Sequence, residues 1–252
     1  MGKIIAIANQ KGGVGKTTTT VNLAACMAAA GKRTLLVDLD PQGNATQGVG
    51  IDKNALEASL YEVLVNEVNA ADLIQATQWE NLWALPTNRE LVGAEIELVE
   101  VEKREFRLRT ALQAIREQYD YIFIDCPPSL SLLTLNGLVA ADGVLIALQC
   151  EYYALEGLSE LLQTIMLVRD NLNPKLSVKG VLLTMYQHTN LSKQVMEDVR
   201  EHLGDRVYET IIPRNVALSE APSFGQPIIY YDLKSVGAQA YLALTREIIS
   251  RG

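Results

Sequence analysis

The chain has 252 residues, of which 48% are hydrophobic and 21% charged, which excludes a disordered, collagen-like or low-complexity protein. Lys and Arg number 22 against 30 Asp and Glu, so the formal net charge is −8. That excludes a strongly basic nucleic-acid binder but not a local basic patch on an acidic body.

Short apolar runs alternate with longer helical patterns. Ile4–Ala8 reads as a buried strand and leads into a charged, Gly-rich loop. Thr17–Ala30 reads as an Ala-rich helix that stops at Gly31, a natural left-handed terminator. Thr34–Val37 is the next strand. Ile51–Leu82 is the least regular stretch: Leu56–Val65 has helical spacing, Asn69–Leu73 starts a short helix, and the remainder is equally readable as loop. Strands at Leu82–Leu85, Tyr121–Ile124, Val144–Leu148, Val178–Leu183 and Val207–Ile212 follow. They are separated by helices at Arg89–Gln118, Leu155–Arg169 and Leu191–Leu203, and Val236–Ser250 is the last helix. This alternation predicts right-handed βαβ units and an α/β fold: a doubly wound, mostly parallel sheet with helices on both faces. With no repeat and no Ser/Pro linker, residues 1–252 read as a single domain.

Cys26, Cys126 and Cys150 form no even framework and read as buried free thiols of a reducing compartment. No signal peptide and no membrane-length apolar run is visible, so a cytoplasmic protein is expected. His188 and His202 have no nucleophile or metal set around them and read as surface residues. Tyr152-Tyr153 reads equally as an interface stripe or as core.

The strongest chemical signal is Lys11-Gly12-Gly13-Val14-Gly15-Lys16-Thr17-Thr18, between a buried strand and a helix. Glycines let successive backbone N–H groups converge on phosphate oxygens, and the helix N-terminus adds partial positive charge. Lys16 is placed to meet the β- and γ-phosphates, and Thr17 to offer its hydroxyl to Mg²⁺. The loop departs from the usual G-x-x-x-x-G-K-[ST] pattern, with Gln10 in place of the first Gly and an extra lysine at Lys11. Lys11 is badly placed for phosphates cradled by its own backbone. It reads as a lysine that reaches the phosphates of a facing subunit, as an arginine finger does in trans.

Carboxylates follow two strands. Asp38 and Asp40 alternate after Thr34–Val37, so one approaches Mg²⁺ or the loop while the other meets the attacking water. Asp125 ends Tyr121–Ile124 in the Walker B manner, which holds Mg²⁺ through a water. Singly, an Asp at a strand end is a turn or helix cap; beside a phosphate loop, the three point to metal and water.

Together with Asp125-Cys126-Pro127-Pro128-Ser129, Glu151 through Gly157 and Ile212-Pro213-Arg214-Asn215-Val216 through Gly225, these motifs make the chain resemble the ParA/Soj partition ATPases over nearly its whole length. The resemblance implies a P-loop NTPase-like fold, ATP and Mg²⁺ as cofactors, and an ATP-bound homodimer with slow hydrolysis stimulated by a ParB-like adaptor. It implies non-specific DNA binding, hence nucleoid association, to position a chromosome, plasmid or other cargo. By the same resemblance Lys11 is the signature lysine, Lys16 the loop lysine, Thr17 the Mg²⁺ ligand, Asp40 the residue that orients the water and Asp125 the Walker B acid; Asp38, the other strand-end carboxylate, is then the one expected to approach the metal. Pro213 and Asn215 face the adenine, with Met185 on the other side of the base.

Three places where relatives carry basic residues read Gln187-His188-Thr189, Ala217 and Gln226 here. The remaining DNA-binding candidates are Lys193, Arg200, Lys234 and Arg246, with Lys179 beside them. A ParA-like ATPase that acts as a protein–protein switch without a DNA track is the alternative. A membrane-binding relative of the MinD type would need a basic amphipathic C-terminal helix beyond Val236–Ser250, and none is expected. An electron-transfer ATPase of the nitrogenase iron-protein type would need paired interface cysteines, and Pro127-Pro128 after Cys126 argues against it.

Overall fold

The computed structural model describes residues 2–151 and 154–251. Seven strands form one sheet: β1 (Lys3–Ala8), β2 (Thr34–Asp38), β3 (Gln75–Ala76), β4 (Leu82–Leu85), β5 (Tyr121–Asp125), β6 (Gly143–Gln149) and β7 (Ser177–Thr184). Their order is β3-β4-β2-β5-β1-β6-β7, and every pairing is parallel except β3 with β4. β1 lies in the interior between β5 and β6, so the chain winds outward in both directions from it. The crevice at its C-terminal end is where this topology places ligands.

Alternation along the strands splits the core in two. Ile4, Ala6 and Ala8 join one cluster, with Leu64, Leu112, Leu138, Leu158 and Leu161. Ile5 and Ile7 join the other, with Leu23, Met27, Leu36, Phe123, Tyr241 and Leu244. The first side is covered by α3 (Leu60–Val65), α4 (Ala70–Leu73), α5 (Leu91–Glu97), α6 (Arg107–Ile115), α7 (Leu132–Ala140), α8 (Ala154–Asn171) and α9 (Asn190–Leu203). The second is covered by α1 (Lys16–Ala29), α2 (Asn44–Gly48), α10 (Val216–Glu220), α11 (Ile228–Tyr231) and α12 (Val236–Ser250). α1 ends as expected: Gly31 has φ 77°, and the amides of Gly31 and Lys32 donate to Ala28 O (2.9 Å) and Met27 O (3.1 Å).

Three expectations are corrected. Val207–Ile212 is not a strand: it runs beside β7 with one isolated bridge, Val181 with Val207, and a further backbone hydrogen bond from Ile212 N to Leu183 O (2.9 Å), and a second bridge, Tyr186 with Pro213, lies just beyond it. Arg89–Gln118 is not one helix. It breaks after α5, and Lys103 (φ 56°) turns the chain into a short 3₁₀ turn before α6. The break falls in Leu98-Val99-Glu100-Val101-Glu102, where β-branched residues and like charges oppose helix continuation. α7 is an addition to the predicted elements; it is buried nearly all round and so shows no polar face to the sequence pattern. The Leu56–Val65 pattern shortens to α3, which starts where Ser59 and Glu62 form a capping box. All three cysteines are free and buried. Among the described residues no helix is long and apolar enough to cross a membrane. Tyr152-Tyr153 lies outside the described residues.

Candidate functional site at the C-terminal end of the sheet

The loop after β1 is held from three sides. Asn9 donates its side-chain amide to Ala147 O on β6 (2.6 Å) and accepts from Lys11 N (3.0 Å). Thr184, at the end of β7, donates to Val14 O (2.8 Å). Gly13 (φ 74°) and Gly15 (φ 88°) take left-handed backbone, which turns amides inward and leads into α1. Gly12 and Gly13 are exposed, Val14 buried, and Thr17 and Thr18 half-buried at the mouth.

Lys16 is buried and donates to Lys11 O (3.0 Å), across the loop. Burial lowers its pKa, against the opposing pull of Asp125 and Asp40. Thr17 donates to one carboxylate oxygen of Asp125 (2.7 Å) and Thr20 to the other (2.9 Å). Thr20 is a site residue that the motif alone does not single out. The run Thr17-Thr18-Thr19-Thr20 carries the signal, since residues three apart share a helix face.

Asp38 and Asp125 stand directly opposite each other in the β2–β5 register, both fully buried. Burial raises both carboxyl pKa values; the charge of Asp38 adds to the rise at Asp125, and that of Asp40 to the rise at both. Their partners differ. Asp38 takes up Thr46 N and Thr46 Oγ1 (both 2.7 Å) on one oxygen and Asp40 N (3.3 Å) on the other. Asp38, expected in the metal set, ties the turn after β2 to α2, and Asp125 meets Thr17. Asp40 follows in that turn. It is 9% exposed, and its Oδ1 accepts from Gln42 N (3.0 Å). Gly43 (φ 62°) closes the turn against Thr87 O, 2.8 Å from where a Cβ would stand.

Lys11 is turned away from its own loop. Its ammonium pairs with Glu151, just after β6, and its side chain is 53% exposed. Met185 follows β7 in left-handed backbone (φ 51°), with its Cε 3.9 Å from the Cβ position on Gly15. Tyr186 N donates to Ile212 O (3.1 Å) and Arg214 N to Tyr186 O (3.0 Å), so the segments holding Met185, Pro213 and Asn215 are zipped together beside the loop. Asn215 also caps α10, its Oδ1 accepting from Leu218 N (3.3 Å).

The residues fit a nucleotide with a hard divalent cation. Loop amides and a buried ammonium suit phosphates, and a hydroxyl in contact with a carboxylate suits Mg²⁺. Among the described residues no group of three or more His, Cys, Asp or Glu could hold a metal alone. Phosphate oxygens and water would therefore complete the coordination, as is usual for Mg²⁺.

The basic candidates are not gathered on one helix face. Lys193 and Arg200 lie on α9, where Lys193 pairs with Glu197 (3.8 Å) and Arg200 with Glu209 (3.7 Å). Arg246 lies on α12, over the opposite side of the sheet, and Lys234 is exposed in the turn before it.

A family model described as an AAA domain matches residues 2–178. Over 253 residues the chain is 59% identical to the sporulation initiation inhibitor protein Soj of Bacillus subtilis (strain 168), covering 100% of both chains. It is 57% identical over 252 residues to the chromosome partitioning protein ParA of Myxococcus xanthus (strain DK1622), covering 100% of this chain and 89% of that one. Among solved structures, a Mycobacterium smegmatis protein named cobyrinic acid a,c-diamide synthase, with bound ATP analog and magnesium, superposes with a TM-score of 0.87. Identity there is 38%, covering 100% of this chain and 96% of that one. The tethered phosphate loop, the strand-end carboxylates and these likenesses lead to one assignment: the chain belongs to the ParA/Soj family of chromosome-partitioning ATPases.

Proposed function

We propose that the protein, acting as one nucleotide-binding domain, is a Mg²⁺-dependent ATP switch. It dimerises with nucleotide between two protomers, hydrolyses slowly under stimulation by a ParB-like adaptor, and binds DNA without sequence preference to position a chromosome or other cargo. In this reading the loop amides from Gly12 to Thr18 and the Lys16 ammonium bind the phosphates. Thr17 and Asp125 hold the Mg²⁺, which supplies charge neutralisation for phosphoryl transfer. Asp38 positions the turn that carries Asp40, and Asp40 orients the attacking water. Met185, Pro213 and Asn215 flank the base.

The observation that carries the dimeric switch is Lys11. Its ammonium turns outward to the half-buried Glu151 instead of inward to its own phosphate site. An exposed pair of this kind is worth no more than about 1 kcal/mol, so a partner's phosphate displaces it readily. Lys11→Ala should therefore keep ATP binding and lose the ATP-dependent dimer, measured by light scattering coupled to gel filtration. A Lys11→Ala protein that dimerises and hydrolyses like the parent overturns the trans-lysine role.

The reading without a DNA track keeps its own support: Gln187, Ala217 and Gln226 are uncharged, and the remaining cations are divided between α9 and α12. An electrophoretic shift series at low salt, with ATP, ADP and no nucleotide, separates the two. Absence of a shift with ATP selects the protein–protein switch.

A further inference from the structure

At the opposite end of the sheet from the phosphate loop, where the parallel strands begin, lies a cavity of ≈ 320 Å³. Four cations line it, Lys3, Arg116, Lys179 and Arg251, against one acid, Asp142. In a chain of net charge −8 such a concentration of positive charge is out of keeping with the rest.

The site is built rather than incidental. Arg116 donates to Gly2 O (2.6 Å) and pairs with Asp142, which also accepts from Ile4 N (2.8 Å). Arg251 donates to Asp205 O (2.9 Å) and Val207 O (3.2 Å), pairs with Glu247 (2.6 Å), and lies 4.6 Å over the ring of Tyr208. Both arginines are thus fixed and already compensated. The lysines are not: among the described residues neither Lys3 nor Lys179 makes an ion pair. Lys3 rests its ammonium 5.5 Å from the centre of the Tyr121 ring. Lys179 is laid across Gly143, where a Cβ would stand 2.6 Å from its Cε.

Gly143 is the key to the shape. β6 runs between β1 and β7, and Ile5 and Ser177 flank Gly143 in the register. The two lysine-bearing strands are therefore two inter-strand spacings apart, about 10 Å. A glycine between them leaves the floor open, so both ammonium groups can converge on one ligand.

We propose that this cavity is a second anion site, separate from the nucleotide crevice, that takes a small multivalent phosphate of the pyrophosphate class. With Arg116 paired to Asp142 and Arg251 to Glu247, the two lysines carry the excess positive charge, which suits an anion of about two charges. The spacing of Lys3 and Lys179 suits two phosphates bridged between strands, and the two arginines, held by their own partners, fix the walls of the recess. The recess between sheet and α12 favours a small anion over a duplex backbone.

The test titrates inorganic pyrophosphate by calorimetry into the full chain and into Lys16→Ala, whose phosphate loop is disabled, with thermal melts to confirm folding. The full chain should bind two equivalents, one of them at the phosphate loop, and Lys16→Ala should keep one, the cavity's. Lys3→Gln and Lys179→Gln should each weaken it about tenfold or more, the scale of one lost charge-assisted hydrogen bond. Gly143→Ala, which moves the Lys179 stem without changing charge, should also weaken it, and Lys103→Gln on the other side of the sheet should not. Loss of binding in Lys16→Ala alone overturns the proposal, as does an equal effect of Lys103→Gln. So does an effect of Lys3→Gln and Lys179→Gln on duplex DNA retention with none on pyrophosphate.

Discussion

At the residue scale, the three carboxylates of the crevice have separate environments and should separate in experiment. Asp40 is the one whose carboxylate is not consumed by a threonine. Its removal should leave ground-state contacts intact and slow the chemical step, by about 100-fold or more for a lost water-orienting group. Asp40→Ala should bind Mg-ATP and accumulate as a persistent dimer in gel filtration; hydrolysis at the parental rate would move the role elsewhere. Asp125 should show itself in stability. Burial and the facing Asp38 raise its pKa, so the folded chain holds that proton more tightly than the unfolded chain does. Between the ordinary carboxylate value of about 4 and the raised folded value, folding must then weaken as pH rises. Asp125→Asn should flatten that dependence between about pH 5 and 8 and raise the ligand-free Tm at neutral pH by about 2–4 °C per kcal/mol relieved, while losing Mg-ATP binding. A melting series in buffers of matched ionic strength reads both effects; a neutral-pH Tm below the parent's would mean the Thr17 and Thr20 hydrogen bonds outweigh the buried charge.

At the element scale, the crevice depends on close approaches that only glycine permits. Gly225 has φ 62°, and a Cβ there would stand 3.1 Å from Gly50 Cα and 3.3 Å from Gln47 O. These contacts dock the 221–225 turn onto the end of α2, next to the turn that carries Asp40. Gly225→Ala should cost about 1–3 kcal/mol, the usual cost of backbone strain, and lower Tm by several degrees. Denaturant unfolding with an unchanged m-value would confirm a native-state effect. Elements of this kind also show where sequence reading works. Six of the strands are legible because runs such as Tyr121–Ile124 are buried on both faces and so are continuously apolar. The phosphate loop is legible because its glycines and lysine are adjacent in sequence. Val207–Ile212 is rich in β-branched and aromatic residues despite Glu209, but it meets β7 through an isolated bridge and a further backbone hydrogen bond, and no composition separates a bridge from a ladder. The partners of Asp38 and Lys11, namely Thr46 and Glu151, are set by tertiary packing across 8 and 140 residues, beyond the reach of local pattern.

At the scale of the whole molecule, the proposed DNA binding would require an acidic body to reach a polyanion with a few cations. Binding should then be weak for one protomer and rise steeply in the dimer, where two patches act together. Each phosphate contact should contribute about −0.9 to the slope of log affinity against log salt. Lys234→Glu, in the exposed turn before α12, should weaken ATP-dependent duplex binding uniformly across sequences and flatten that slope by about one contact per protomer. An unchanged slope in filter binding would assign Lys234 to solvent.

The outward pairing of Lys11 with Glu151 makes subunit association an exchange reaction. In the proposed dimer each lysine would leave a carboxylate and gain a phosphate, so the number of close ion pairs held by the lysines would be the same before and after. An equilibrium that conserves its ion pairs releases few counterions and responds little to ionic strength, whereas DNA capture releases many. On the proposed reading, the same rise in salt should therefore release the protein from DNA while leaving the nucleotide-bound dimer assembled.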